Sequence, residues 1–175
     1  RKIAEITLPV APGERYFVLS RYSPGKTHGP RVQRGIQFIA MLSGSVTIEI
    51  DDRPLLLQPG MLALLLPGQR EFFRFDPSEP SEHIWCQLDF AALPGDFNRD
   101  LQRLPPTIAF DNQVEQLMEL GMSLAAQPAG AARALISLAE TLLYYYASRG
   151  DHSHGDTQQT MPKGVREACR HMAMG

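Results

Sequence analysis

The sequence predicts a mainly β protein with helices towards its C-terminal end, the β part being an antiparallel sandwich or barrel. Three observations lead there. Between Gly35 and Phe90, short apolar runs recur at close, even spacing and are divided by turns rich in Asp, Pro and Gly. After Asp111 the apolar spacing changes from that of strands to that of helices. With 175 residues, 43% hydrophobic and 21% charged, the chain can bury one good core and needs no disulfide or metal to do so.

Residues 3–12 form a mildly apolar arm that ends in Pro12-Gly13 turn chemistry. Arg15 to Tyr22 alternates as a strand, with Tyr16, Val18, Ser20 and Tyr22 on one face and Phe17, Leu19 and Arg21 on the other. Ser23 to Gln33 contains Pro24, Gly25, Gly29 and Pro30, a loop composition in which His28 stands isolated. The strand Gly35 to Leu42 sets Gln37, Ile39 and Met41 on one face, where a buried amide needs a partner. Val46, Ile48 and Ile50 alternate with polar residues, and Asp51-Asp52-Arg53-Pro54 turns the chain back through Leu55 to Leu57.

Met61 to Leu66, between Pro59-Gly60 and Pro67-Gly68, is a continuous apolar run suited to a strand covered on both faces. The next strand puts Glu71, Phe73 and Phe75 on one side. Asp76 to Glu82 is an acidic, Pro-containing loop. His83 to Phe90 then sets His83, Trp85, Gln87 and Asp89 on one face and Ile84, Cys86, Leu88 and Phe90 on the other.

Periodicity is lost from Ala91 to Phe110, where one short helix fits. Asn112-x-x-Glu115 reads as a capping box, followed by the stripe Val114, Leu117, Met118, Gly121, Leu124. The second helix runs from Ala131 to about Arg149, with Gly150 as its stop and Leu135, Leu138, Leu142 and Tyr146 on one face. Leu143, Tyr144 and Tyr145 widen that surface, which suits packing on the β part or contact with a second chain. Asp151 to Pro162 has a linker's composition, and Val165, Ala168, Cys169 and Met172 return to helical spacing.

The order Gly44-x-Val46-x-Ile48, then Leu57-x-Pro59-Gly60-Met61-x-Ala63-x-Leu65-x-Pro67-Gly68, then the strand ending Leu88-Asp89-Phe90, resembles the cupin-type sensor domain of AraC-family transcription regulators. The resemblance covers residues 15–90 and extends more loosely into the helices. It implies a cupin-like antiparallel β-barrel, or jelly roll, over 1–110, and a two-helix antiparallel dimerisation element over 111–150. It further implies a linker over 151–162 and, over 163–175, the start of a truncated helix-turn-helix DNA-binding domain. By the same resemblance Trp85, Gln87 and Phe73 fall at inward positions that touch ligand, and Arg31 falls near a loop position that does so in sugar-binding relatives. Gln37 joins them as an amide on the inner face. The implied partners are a small-molecule effector, a sugar being one candidate, a second copy of the chain through Leu135, Leu138, Leu142, Tyr145 and Tyr146, and DNA through the missing domain.

The residues admit plainer roles as well. Trp85 can be a core tryptophan whose indole nitrogen meets a carbonyl, Gln37 and Gln87 can be satisfied by backbone, and Arg31 can be a solvated loop charge. A formal charge of −2 gives these residues no overall attraction for a polyanion. Cupin enzymes hold a metal with paired His on one strand, a carboxylate and a later His. Here Ile36 to Ile50 has no His, Gln69-Arg70-Glu71 replaces the later position, and His83 stands alone, so no metal, cofactor or catalytic residue is expected. No apolar run approaches the ~20 residues of a membrane-spanning helix, and no signal segment is evident, so the expected location is the cytoplasm without a membrane partner. A cupin metalloenzyme, such as an isomerase or dioxygenase, and an effector-free dimerisation module are the rival readings.

Overall fold

The computed structural model describes residues 15–90, 95–127 and 131–150. The strands are β1 (Arg15–Tyr22), β2 (Thr27–Val32), β3 (Ile36–Ser43), β4 (Val46–Ile50), β5 (Arg53–Leu57), β6 (Met61–Leu65), β7 (Arg70–Phe75) and β8 (Ser81–Leu88), with β9 (Thr107–Ala109) coming later. The helices are α1 (Gly95–Leu101), α2 (Asn112–Ala125) and α3 (Ala132–Gly150). The arm, the linker and the expected start of a helix-turn-helix domain lie outside the described residues.

Hydrogen bonding groups the strands into two antiparallel sheets rather than one closed barrel: β1-β8-β3-β6-β9 and β2-β7-β4-β5. One apolar cluster lies between the sheets, joining Ile39, Met41, Ala63 and Leu65 of the first to Val46, Ile48, Leu57, Phe73 and Phe75 of the second. The other covers the opposite face of the five-stranded sheet, where Phe38, Leu62, Ile84 and Cys86 meet Leu101, Met118, Leu142 and Tyr146 from the helices. The five-stranded sheet is thus buried on both faces. That explains why β6 is continuously apolar and β3 is buried without a break from Ile36 to Met41, while β7, in the other sheet, alternates buried with more exposed residues.

The turns follow their residues. Asp51 and Asp52 both have positive φ and form the two-residue loop between Ile50 and Arg53, the geometry that matches strand twist in a tight hairpin. Gly60 and Gly68, each after a proline, take φ of 87° and 89°.

Three readings from the sequence need correction. Residues 27–32 are a strand, not a loop, despite Gly29 and Pro30. β2 is an edge strand, where a residue without an N–H is tolerated, and its register with β7 shifts between His28 and Arg31. Residues 107–109, read as an irregular connection, pair with β6 as β9. The cap of α2 is Asp111 rather than Asn112: its carboxylate accepts a hydrogen bond from the Val114 N–H at 3.1 Å.

α2 packs on β1 and β8, and α3 packs on β8 and β9 and against α2. This changes the account of α3. Leu138, Leu142 and Tyr146 are buried in the chain's own core, with the Tyr146 hydroxyl donating to the Pro105 carbonyl at 2.7 Å, so these three are not a surface for a second copy. Leu135 packs partly against the same cluster. Tyr145 donates to Asp111 Oδ2 at 2.6 Å and accepts from Arg149, tying α3 to the start of α2. Among the described residues, no helix is long and apolar enough to cross a membrane.

Candidate functional site

Between the two sheets, where β8, β3 and β1 face β7 and β2, lies a cavity of about 210 Å³. Register builds its walls. β8 sets Trp85 beside Ile39 and Gln87 beside Gln37, while β7 sets Phe73 beside His28 and Glu71 beside Arg31. Arg31, Gln37, Phe73, Trp85 and Gln87, the five residues singled out in the sequence, all line this cavity. So do Ser20, Tyr22, Phe75, His28 and His83, which the sequence reading left out as ligand contacts.

The walls are mostly aromatic. Tyr22 stacks on Phe75 with ring centroids 3.9 Å apart, and His83 lies near-parallel to both. His28 meets Phe73 edge-on at 5.6 Å, and the Arg31 guanidinium lies 5.0 Å from the centre of the Phe73 ring.

Much of the polar lining is engaged within the chain. Arg31 Nε donates to Glu71 Oε2 at 2.9 Å, Nη2 lies 2.9 Å from the same oxygen as an ion pair, and Nη2 donates to Gln37 Oε1 at 2.6 Å. Trp85 Nε1 donates to Ser20 Oγ at 2.9 Å, so the indole uses a hydroxyl on β1 rather than a backbone carbonyl. Gln87 Nε2 donates to Asp89 Oδ1 at 2.7 Å. The Gln37 and Gln87 amides are thus held by side chains, not by the backbone.

Burial sets the charges. The Glu71 side chain is fully inaccessible, and desolvation pushes its carboxyl up to about 7 against the pull of Arg31. Desolvation brings His83 down to about 4, with the charges of His28 and Arg31 acting the same way, and His28 is lowered for similar reasons. At neutral pH both imidazoles are uncharged and Arg31 is the fixed charge of the cavity. Two polar atoms have no partner among the described residues: His83 Nδ1 in the cavity lining, and Glu71 Oε1, whose residue lies behind Arg31 and lines a separate pocket. Each is a buried group whose hydrogen bond remains to be made.

A shallower groove adjoins the cavity and shares Arg31 and Gln87 with it; Val32, Gln33 and Arg34 complete its lining. Gln33 is 3% exposed and its Nε2 has no partner among the described residues.

Sequence reasoning had a usable signal for most of what it missed. Alternation put His83 on the face of Trp85 and Gln87, Ser20 with Tyr22, and Phe75 with Phe73. For His28 there was none, because its Gly- and Pro-rich surroundings hid the strand. Among the described residues no three or more His, Cys, Asp or Glu side chains come together as a metal site. His28 and His83, apart in sequence, nonetheless share one cavity.

The family model described as AraC-like ligand binding domain matches residues 16–147. No curated protein sequence matches the chain. Among solved structures, TT1209 from Thermus thermophilus is 24% identical, over 47% of this chain and 80% of that one, at a TM-score of 0.40. A cupin superfamily protein from Desulfitobacterium hafniense DCB-2 is 16% identical, over 43% and 68%, at 0.39. The polyketide cyclase RemF from Streptomyces resistomycificus is 21% identical, over 52% and 70%, at 0.37. Nothing about this chain's chemistry rests on likenesses of that size.

Proposed function

The chain belongs to the AraC-like ligand-binding domain family, and on that premise we propose that it is the effector-sensing part of a transcription regulator. A small molecule enters the cavity between the sheets, and its contacts change how two copies of the protein present DNA-binding domains carried elsewhere in the polypeptide. The observation that carries this reading is the cavity itself. It is bounded by aromatic rings, holds one guanidinium, and leaves the buried His83 Nδ1 without a partner among the described residues, which is the composition of a small-molecule site. A filled interior would instead have suited a module that binds no effector.

The volume is below the roughly 300–1,000 Å³ of pockets for drug-sized compounds, so the effector is a metabolite of modest size. One wall of the cavity is β2. It is an edge strand with a register shift, and it brings His28 and Arg31 to the cavity. A ligand that touches β2 and β8 together favours one spacing of the sheets over another, and can shift the population only by that difference in affinity. Pairing of two copies uses the outward sides of α2 and α3, where Leu120 and Tyr144 are 51% and 42% exposed.

A thermal-shift screen over sugars, amino acids and aromatic acids tests the reading. A ligand present at 100 times its Kd stabilises the folded state by about 2.7 kcal/mol, a rise of several degrees in Tm. At least one compound is expected to produce that rise in the parent chain and not in Trp85→Ala. If no small molecule of any class does so, the sensing role is wrong.

A further inference from the structure

Resting on the sensing role just proposed, we propose that the effector is a small aromatic carboxylate, its carboxylate held by Arg31 and Gln33 and its ring set among Phe73, Phe75 and Trp85. The charge comes first. Arg31 is the one cavity residue with a fixed charge at neutral pH, and it spends only Nε and Nη2 on Glu71 and Gln37. Its Nη1 edge has no partner among the described residues. The Nη1 N–H groups remain to donate to a carboxylate oxygen.

The adjoining groove adds donors at the same end. Gln33 Nε2 is buried and unpartnered there, and Arg34 lines the groove as well. The acids in the neighbourhood are Glu71, already bonded to Arg31, and Asp89, whose Oδ1 accepts from Gln87.

The walls then select the body of the ligand. Phe73, Phe75, Tyr22 and Trp85 offer flat apolar surface for a ring, and the unpartnered His83 Nδ1 can bond one polar ring substituent. A sugar fits this inventory poorly. Trp85 Nε1 and Gln87 Nε2 are already committed to Ser20 and Asp89, and each buried hydroxyl left without a partner weakens binding. An amino acid brings an ammonium, which would enter beside Arg31, a like charge.

The test is calorimetric titration of the chain with sodium benzoate, with benzamide as its neutral isostere, and with arabinose. Benzoate is expected to bind at least tenfold more tightly than either. Arg31→Lys keeps a cation against Glu71, so the fold survives, but it lacks the Nη1 donors and should weaken benzoate at least tenfold while leaving benzamide within twofold. Gln33→Leu should weaken benzoate alone. Should benzamide or arabinose equal benzoate, or should Arg31→Lys leave benzoate unchanged, the carboxylate class is wrong although a sensing domain remains. Binding by none of the three probes also overturns the class, and the broader screen then decides whether sensing survives.

Discussion

Glu71 and His83 are buried titratable side chains beside the cavity, and burial moves them in opposite directions. Facing Glu71 are Arg31 from β2 and Asp51 from the β4–β5 turn, with Gln37 of β3 on the same guanidinium. Because the Glu71 carboxyl rises from 4.5 to about 7, the folded chain holds a proton that the unfolded chain releases in that window. Its contribution to stability is therefore fully present below pH 4.5 and is lost as pH climbs through 7. His83 falls from 6.5 to about 4, so its contribution is full above 6.5 and is lost as pH drops through 4. The two oppose each other at mildly acidic pH, and Glu71 acts alone near neutrality. Glu71→Gln should thus compare more favourably with the parent at pH 8 than at pH 5, by up to about 3 kcal/mol. Circular dichroism melts at the two pH values check this, and an equal difference at both would show that Glu71 does not change protonation there. Alternation made it readable in the sequence that Glu71 shares a side with Phe73 and Phe75. That this side faces the other sheet, with Arg31 at its end, depends on residues forty positions away and was not readable.

Elements were legible where one pattern ruled. β4, β7 and β8 follow a period of two, α2 and α3 a helical spacing, and the Asp-Asp and Pro-Gly turns sit where their chemistry puts them. β2, interrupted by Gly29-Pro30, and the three-residue β9 were hidden because each lies at a sheet edge and owes its existence to the strand it pairs with. Gly121 shows the same dependence in a helix. Its place in the apolar stripe of α2 was plain, but the reason for a glycine is the Phe17 ring of β1, which a Cβ would meet at 2.2 Å. Gly121→Ala gains about 1 kcal/mol of helix propensity and incurs overpacking of about 1–3 kcal/mol against the sheet. A net loss in denaturant melts is expected, and a gain would mean that Phe17 has room to move.

At the scale of the whole molecule, the helices and the five-stranded sheet close a single core, so a division of the chain at residue 110 would cut through it. Leu142→Ala, fully buried in that core, should cost about 2–5 kcal/mol at any protein concentration. Far-ultraviolet circular dichroism, which follows the helices, and the fluorescence of Trp85, the single tryptophan and one that lines the cavity, should then lose structure together. Separate transitions would mean two folding units, and a loss that depends on concentration would return Leu142 to an interface between copies. Local patterning by itself determined that this chain is mainly β with two long helices after the strands, and which residues share a face, because strand and helix periods are properties of neighbouring residues. Only the tertiary structure decided which faces turn inward, that α3 covers a sheet rather than offering Leu138, Leu142 and Tyr146 to a partner, and that His28, Arg31 and His83 meet at one cavity. Those outcomes depend on pairing between distant strands, and no local period encodes it.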